Sequence, residues 1–299
     1  MMNYNEFKEI VTMNFLDYMP DKYQKMKLRV NSVNKINKTL DAITLHNDGK
    51  SRCISPTLYI NDIYDVYVKT GDISAVLREA AETMDIAFGS IPTNINIDFN
   101  ARENIIFQLI NTEQNKKLLN DVPHREFLDL SIIYRMVIKI DEYGMRSAVI
   151  SNDIVQEFGM DETELYNCAI ENTKRILKPT VTSMYDMIVK WLKMPAEIAD
   201  VVDPDNMMWV ISSKYLFDGA GFIIYEDILH ELAEMLGTDL YILPSSIHEC
   251  LAVSTNMAEP HELEDMVKEV YLDGIELEER LSNKVYLYDR TLRKLTIAI

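Results

Sequence analysis

The run DLSIIYRMVIKI, residues 129–140, restricts the fold of this chain more than any other feature. It reads as a strand, and RSAVIS, a few residues further on, reads as the partner that closes a hairpin with it. NIIFQLIN, 104–111, reads as a third strand, separated from the run by a short helix near 113–119. Strands joined by connections this short pair antiparallel. Around them the chain alternates between strands and helices. A first helix is expected over 4–17, where Phe7, Ile10, Val11, Phe15 and Tyr18 share one stripe. Strands are expected at 25–31, 40–46 and 53–60, and then a helical pair at 62–68 and 72–84. A second pair follows at 153–158 and 162–177, and a further helix at 183–192. Next come strands MMWVISS and GFIIY, a helix over 226–236, and strand DLYIL. The fold class is α+β, with antiparallel sheets and paired helices.

Three helix starts share a pattern. Asp62-Ile63-Tyr64-Asp65, Asp153-Ile154-Val155-Gln156 and Ser246-Ile247-His248-Glu249 each resemble a capping box, in which the first side chain accepts from the backbone three residues on. A longer helix follows each, near Asp72, Asp161 and Pro260. The spacing suggests three diverged strand-helix-helix units, 1–90, 91–180 and 181–299, although the chain could equally form one compact domain.

The stretch ILPSSIHEC, 242–250, gathers the residues most suggestive of chemistry. Ser246 as nucleophile, His248 as base and Glu249 as orienting acid would make a hydrolytic set. Helical geometry argues against it, since neighbours one or two apart on a helix point to different sides. No GxSxG elbow supports it either. The expected reading is a strand ended by Pro244 and a helix capped by Ser246, with a site using His248 and remote carboxylates as the alternative.

His-Glu also occurs at 230 and 261, but none of the three has the second histidine of HExxH. In HELAE, Ile228, Leu229, Leu232 and Leu236 mark the buried side and leave Asp227, His230 and Glu234 in solvent. FDGAGF, 217–222, lacks the third glycine and the lysine of a phosphate loop, and reads as a turn between strands. Trp209 and its methionine neighbours read as core. Cys53, Cys168 and Cys250 lie far apart and form no CxxC pair, so they read as reduced, buried thiols. No metal and no cofactor are expected.

Charge is distributed unevenly. Of the net −18, residues 226–279 hold fifteen acids against Lys268, whereas residues 22–52 hold eight Lys or Arg against Asp41 and Asp48. In KMKLRV, Lys25, Lys27 and Arg29 alternate with Met26, Leu28 and Val30, the pattern of a half-buried strand with a cationic wet face. Such a face can bind phosphates, or it can guard a sheet edge. The lack of aromatic residues between the cations favours the guard. Glu262, Asp265 and Glu269 are placed to form an exposed acidic stripe on a helix. The N-terminus carries no basic start followed by an apolar run, and no apolar stretch approaches the roughly 18 residues of a spanning helix, so a cytoplasmic protein with no membrane partner is expected.

LGTDLYILPSSIHECL, LEDMVKEV and LSNKVYLYDRTLRKLTI resemble an uncharacterised bacterial group, domain-of-unknown-function family 5688, and YNEFKEIV fits its opening. The residues carrying the resemblance are Pro244, Ser245, Ser246, His248 and Glu249, then Tyr286, Leu287, Tyr288 and Asp289. The resemblance implies an α+β bacterial protein and no particular activity. The expectation is a non-enzymatic interaction protein that docks on an unknown protein partner through Glu262, Asp265 and Glu269 and through Lys25, Lys27 and Arg29. Direct binding to duplex DNA is not expected from so acidic a chain. The alternative is the hydrolase built on His248.

Overall fold

A computed structural model describes residues 1–46, 55–90, 102–141, 144–192, 207–244 and 246–299. The chain divides into two compact units, Met1–Asn96 and Ile97–Ile299.

The N-terminal unit opens with α1 (Tyr4–Tyr18). Its start is fixed by Asn3, whose side chain accepts from Glu6 N while the Glu6 carboxylate accepts from Asn3 N, both at 3.0 Å. Phe7, Val11 and Phe15, spaced by four, are its buried stripe. A hairpin of β1 (Lys27–Lys35) and β2 (Lys38–His46) follows, turning at Asn37, whose φ of 59° is one that asparagine tolerates. β3 (Thr57–Tyr59) pairs with the other side of β2, giving an antiparallel sheet in the order β1-β2-β3. α2 (Ile60–Thr70) stops at Gly71 in the left-handed conformation, and Asp72 caps α3 (Ile73–Gly89) by accepting from Ala75 N. Leu28, Val30, Ile43, Leu45 and Leu58, all on one face of the sheet, join Phe7, Tyr67, Leu77 and Met84 in a single core.

In the C-terminal unit, β4 (Ile105–Asn111), α4 (Lys116–Leu119), β5 (His124–Phe127), β6 (Leu130–Asp141) and β7 (Gly144–Val149) come first. The twelve-residue β6 pairs with β4 along one side and with β5 and then β7 along the other. Then follow α5 (Asn152–Phe158), α6 (Glu162–Leu177), β8 (Pro179–Ser183), α7 (Met184–Leu192), β9 (Trp209–Ser213) and α8 (Glu226–Leu236). The unit is completed by β10 (Leu240–Leu243), β11 (Glu249–Ser254), α9 (Pro260–Asp273), β12 (Tyr286–Asp289) and β13 (Lys294–Ile297). These strands form a second antiparallel sheet in the order β13-β12-β10-β11-β9-β8. Phe107 and Tyr134 of the first sheet, Leu165 of α6, Leu229 of α8, and Ile211, Ile242 and Tyr286 of the second sheet share one core. Residues on either side of position 180 therefore bury the same apolar surface. The α+β class is as expected.

Four local expectations are corrected. Asp62 lies inside α2, whose preceding cap position is Tyr59, and it is Ser151, not Asp153, that caps α5. At the third position no helix begins: Ser246 forms an isolated antiparallel bridge with Arg280, and Glu249 opens β11. The element common to the three proposed copies is thus missing. GFIIY is the other correction, because Ala220–Ile224 is a 3-10 turn whose apolar side chains are core and not a strand. Cys53 and the acidic segment 199–206 lie outside the described residues.

Candidate functional site

The Ser246–Glu249 stretch is held from both sides by backbone bonds. On one side Ser282 N donates to Pro244 O at 2.8 Å and Ile247 N donates to Glu279 O at 2.8 Å. On the other, Gly219 N donates to His248 O at 3.0 Å, Ala220 N donates to Ile247 O at 3.3 Å, and the Ser212 hydroxyl donates to His248 O at 2.8 Å. Every polar backbone group named here has a partner, which a buried irregular segment requires. Ser246, only 6% exposed, turns its Oγ back to accept from His248 N at 3.0 Å. This is a local serine turn, since the segment continues into β11 and no helix follows.

The His248 ring is occupied at both nitrogens. Nδ1 accepts from Asp218 N at 3.2 Å, which leaves the proton of the neutral ring on Nε2, and Nε2 faces Glu279 Oε1 at 3.3 Å. The Ser246 hydroxyl makes no bond to the imidazole, so the local nucleophile-base pair is absent from this geometry.

Asp218 sits in a loop, 214–219, that two non-glycine residues hold in the left-handed region, Leu216 at φ 60° and Asp218 at φ 50°. Ser213 is what imposes this shape: its buried hydroxyl accepts from Tyr215 N and Phe217 N and donates to Phe217 O. The next residue must be glycine, since a Cβ on Gly219 would stand 2.3 Å from Ser213 N. The first glycine of FDGAGF therefore serves the close approach of two backbones.

From Asp218 a line of polar side chains crosses into the first sheet. Gln108 Nε2 donates to Asp218 Oδ1, Arg135 Nη1 donates to Gln108 Oε1 at 2.8 Å, and Arg135 Nε donates to Ser147 Oγ at 2.9 Å. The register of β4 and β6 places Gln108 and Arg135 on the same face as diagonal neighbours. The amide of Gln108 thus relays between a guanidinium and a carboxylate that do not touch. Burial pushes the Asp218 carboxyl above its usual range, against the pull of Arg135, His248 and Gln108. Burial likewise lowers Arg135, against the pull of Asp218. Glu249 is raised by burial, an effect that His248 opposes and Glu279 reinforces.

Gln108, Arg135, Asp218 and Glu279 were not picked out by sequence reasoning. The available signal was a polar residue inside an apolar strand, Gln108 in IIFQLI and Arg135 in SIIYRMV. The other histidines have separate surroundings: His230 lies on α8 with its Nδ1 buried and unpartnered, and His261 is on the surface of α9. Among the described residues no three His, Cys, Asp or Glu side chains are placed to hold a metal ion.

The predicted interaction residues are all exposed. Glu262, Asp265 and Glu269 form one stripe of α9, whose opposite side buries Leu263 and Val267. Glu264, between them in sequence, is half-buried and bonded to Lys268 at 2.6 Å. Lys25, Lys27 and Arg29 lie on and just before β1, an edge strand, and Met26, Leu28 and Val30 pack inward as expected. Cys250 is buried and free, and Cys168 is free and half-buried.

A family model described as a family of unknown function, DUF5688, matches residues 4–290. No curated protein matches the chain, and neither does any solved structure.

Proposed function

The chain belongs to the family of unknown function DUF5688, so a reading of its activity has to come from its own residues, and we propose that it is a non-enzymatic interaction protein. It docks on a protein partner through the acidic stripe Glu262, Asp265 and Glu269. The observation that carries this reading is a contrast in engagement. The residues most suited to catalysis, Ser246 and His248, are bonded into holding their own segment together, whereas Asp265 and Glu269 make no side-chain bond among the described residues. What weighs against a hydrolase acting through His248 is the absence of a free ring nitrogen to take a proton. That second reading draws its support from the raised carboxyls of Asp218 and Glu249 nearby.

The test is capture of partners from the native cell with the tagged full chain. A partner docked on exposed charge is retained at about 50 mM salt and lost by about 300 mM, as screening shortens the reach of the field. It is also lost from the Glu262→Lys/Asp265→Lys/Glu269→Lys variant. A complex that is insensitive to salt and to that variant, or one lost only on reversing Lys25, Lys27 and Arg29, overturns the assignment.

A further inference from the structure

We propose that His248 is a proton-operated latch: on taking up a second proton, its ring lets go of the Asp218 amide and loosens the loop 214–218. This concerns the candidate site and does not depend on the acidic stripe of α9. A neutral imidazole has one acceptor nitrogen, and a protonated one has none. In His248 that acceptor is Nδ1, to which Asp218 N donates at 3.2 Å. A second proton has to go on Nδ1, because Nε2 already carries one and faces Glu279 Oε1 at 3.3 Å. Two N–H groups then point at each other, and turning the ring over only puts a C–H in place of one of them. The Asp218 amide therefore loses this partner in every orientation of the charged ring.

The surroundings favour the charged form. The His248 side chain is 28% exposed, enough for a proton to reach it. Glu279, from the segment 276–282, stands against Nε2 and becomes its ion-pair partner. Glu249 is the next residue on β11, and Asp218 belongs to the loop. His248 acts on both carboxyls, beside the larger effect of their burial. Positive groups are held off. Arg135 of β6 is bonded to Asp218 only through Gln108, and Arg280 turns to Ile275 O and the Tyr271 ring. Lys214, at the head of the loop, is exposed. β9 brings the Ser212 hydroxyl, which donates to His248 O and does not titrate.

The loop is built to respond at one residue. Leu216 at φ 60° and Asp218 at φ 50° hold a conformation that persists in non-glycine residues where contacts impose it. Ser213 Oγ imposes it on Tyr215 and Phe217, and His248 O holds Gly219, contacts that involve no titrating group. For the Asp218 amide the contact is the His248 ring. Asp218 is thus the hinge between a turn fixed on Ser213 and the close approach at Gly219. Tyr215 and Leu216, 37% and 59% exposed, ride on that turn, so the apolar surface shown there follows the charge of the ring.

Hydrogen exchange of the full chain, read by mass spectrometry over residues 216–219, tests this, with each rate taken relative to that of an unstructured peptide at the same pH. From roughly pH 8 to 5, the interval in which histidines change charge, protection there is expected to fall about tenfold, the factor one lost hydrogen bond is worth. Protection of α8 and β10 stays level. The midpoint of the fall coincides with that of the His248 ring 15N shift, a signal assigned by its absence from His248→Asn. In His248→Asn the side-chain oxygen accepts in place of Nδ1 and takes no proton, so protection is expected to stay flat. Glu279→Gln removes the carboxylate that pairs with the charged ring and is expected to move the midpoint to lower pH. It decides the matter if circular dichroism melts show that His248→Asn does not fold. Four results overturn the proposal: a fall of less than about twofold in the parent chain, an equal fall in folded His248→Asn, an equal fall in α8 and β10, or a midpoint that Glu279→Gln leaves in place.

Discussion

Gly219→Ala tests whether the loop around Asp218 is as closely fitted as the geometry indicates. Gly219 has a φ of −89°, which alanine adopts freely, so the substitution isolates the steric effect. Its new Cβ would meet Ser213 N at 2.3 Å and both Ser212 C and Cα at 2.6 Å, whereas ordinary contact begins at 3.4 Å. The loop and β9 must therefore separate by roughly 1 Å, the difference between 3.4 and 2.3 Å. β9 cannot yield easily, because Ser212 is paired with Thr180 on one side and Glu249 on the other. The loop moves instead and strains the bonds from Gly219 N and Asp218 N to His248. Overpacking costs about 1–3 kcal/mol, and two weakened hydrogen bonds about 1–3 more, while the stiffer unfolded chain returns about 0.4–1. The expected loss is about 1–5.5 kcal/mol, centred near 3. Urea unfolding followed by tryptophan fluorescence measures it, since Trp191 and Trp209, the only tryptophans, are both in the C-terminal unit. Gly237→Ala is the control: it has open space but a φ of +70°, so it costs about 1–2 kcal/mol from backbone strain alone. A Gly219→Ala loss below about 1 kcal/mol, or one smaller than the control's, refutes the reasoning.

Two further expectations concern single side chains. Burial raises the Asp218 carboxyl above its unfolded value of 3.8, so the native state keeps this proton longer than the unfolded chain. Its contribution to stability is greatest below 3.8 and is lost as pH rises through the folded value. Asp218→Asn, which keeps the acceptor for Gln108 but cannot ionise, is thus expected to gain stability relative to the parent as pH rises above 4. A difference that stays flat or narrows with pH in urea unfolding counts against it. Tyr286 is fully buried and donates to Asp129 Oδ1 at 2.5 Å, so Tyr286→Phe should cost about 1.5–3 kcal/mol, the range for hydrogen bonds to charged groups, and a neutral result in the same assay removes that role.

Elements whose apolar spacing is strong and whose ends carry their own signals were legible in the sequence. α6 begins at a true capping box on Asp161, α8 ends at a left-handed Gly237, and both have the expected bounds. Ser246 was misread because a serine side chain accepts from the amide two residues on as readily as three on, and only the neighbouring strands decide between them. Segment 276–282, far away in sequence, supplies those contacts through Glu279 and Arg280. GFIIY misled for a related reason: its apolar residues face a core that lies on several sides, so no period distinguishes a strand from a tight turn. β12 and β13 were missed, their polar residues masking a hairpin defined by its pairing to β10. In the candidate site, His248 could be identified but its partners could not, because Asp218, Gln108 and Glu279 reach it or its line of contacts from three separate elements. The cationic alternation of β1 was plain, while Tyr59 reaches the same face from β3 and is invisible in the strand's own sequence.

The bond from Tyr286 to Asp129 spans 157 positions, and Ser282 reaches the same carboxylate across 153. During synthesis this separation becomes a waiting time. At about 5–20 residues added per second, β5 and β6 leave the ribosome roughly 8–30 s before the tyrosine that will fasten their connecting turn. The described strands and helices of the N-terminal unit all lie within its first ninety residues and face no comparable delay. For those seconds the apolar faces of β4 and β6 lack their covering sheet, an interval in which a holding chaperone has something to bind.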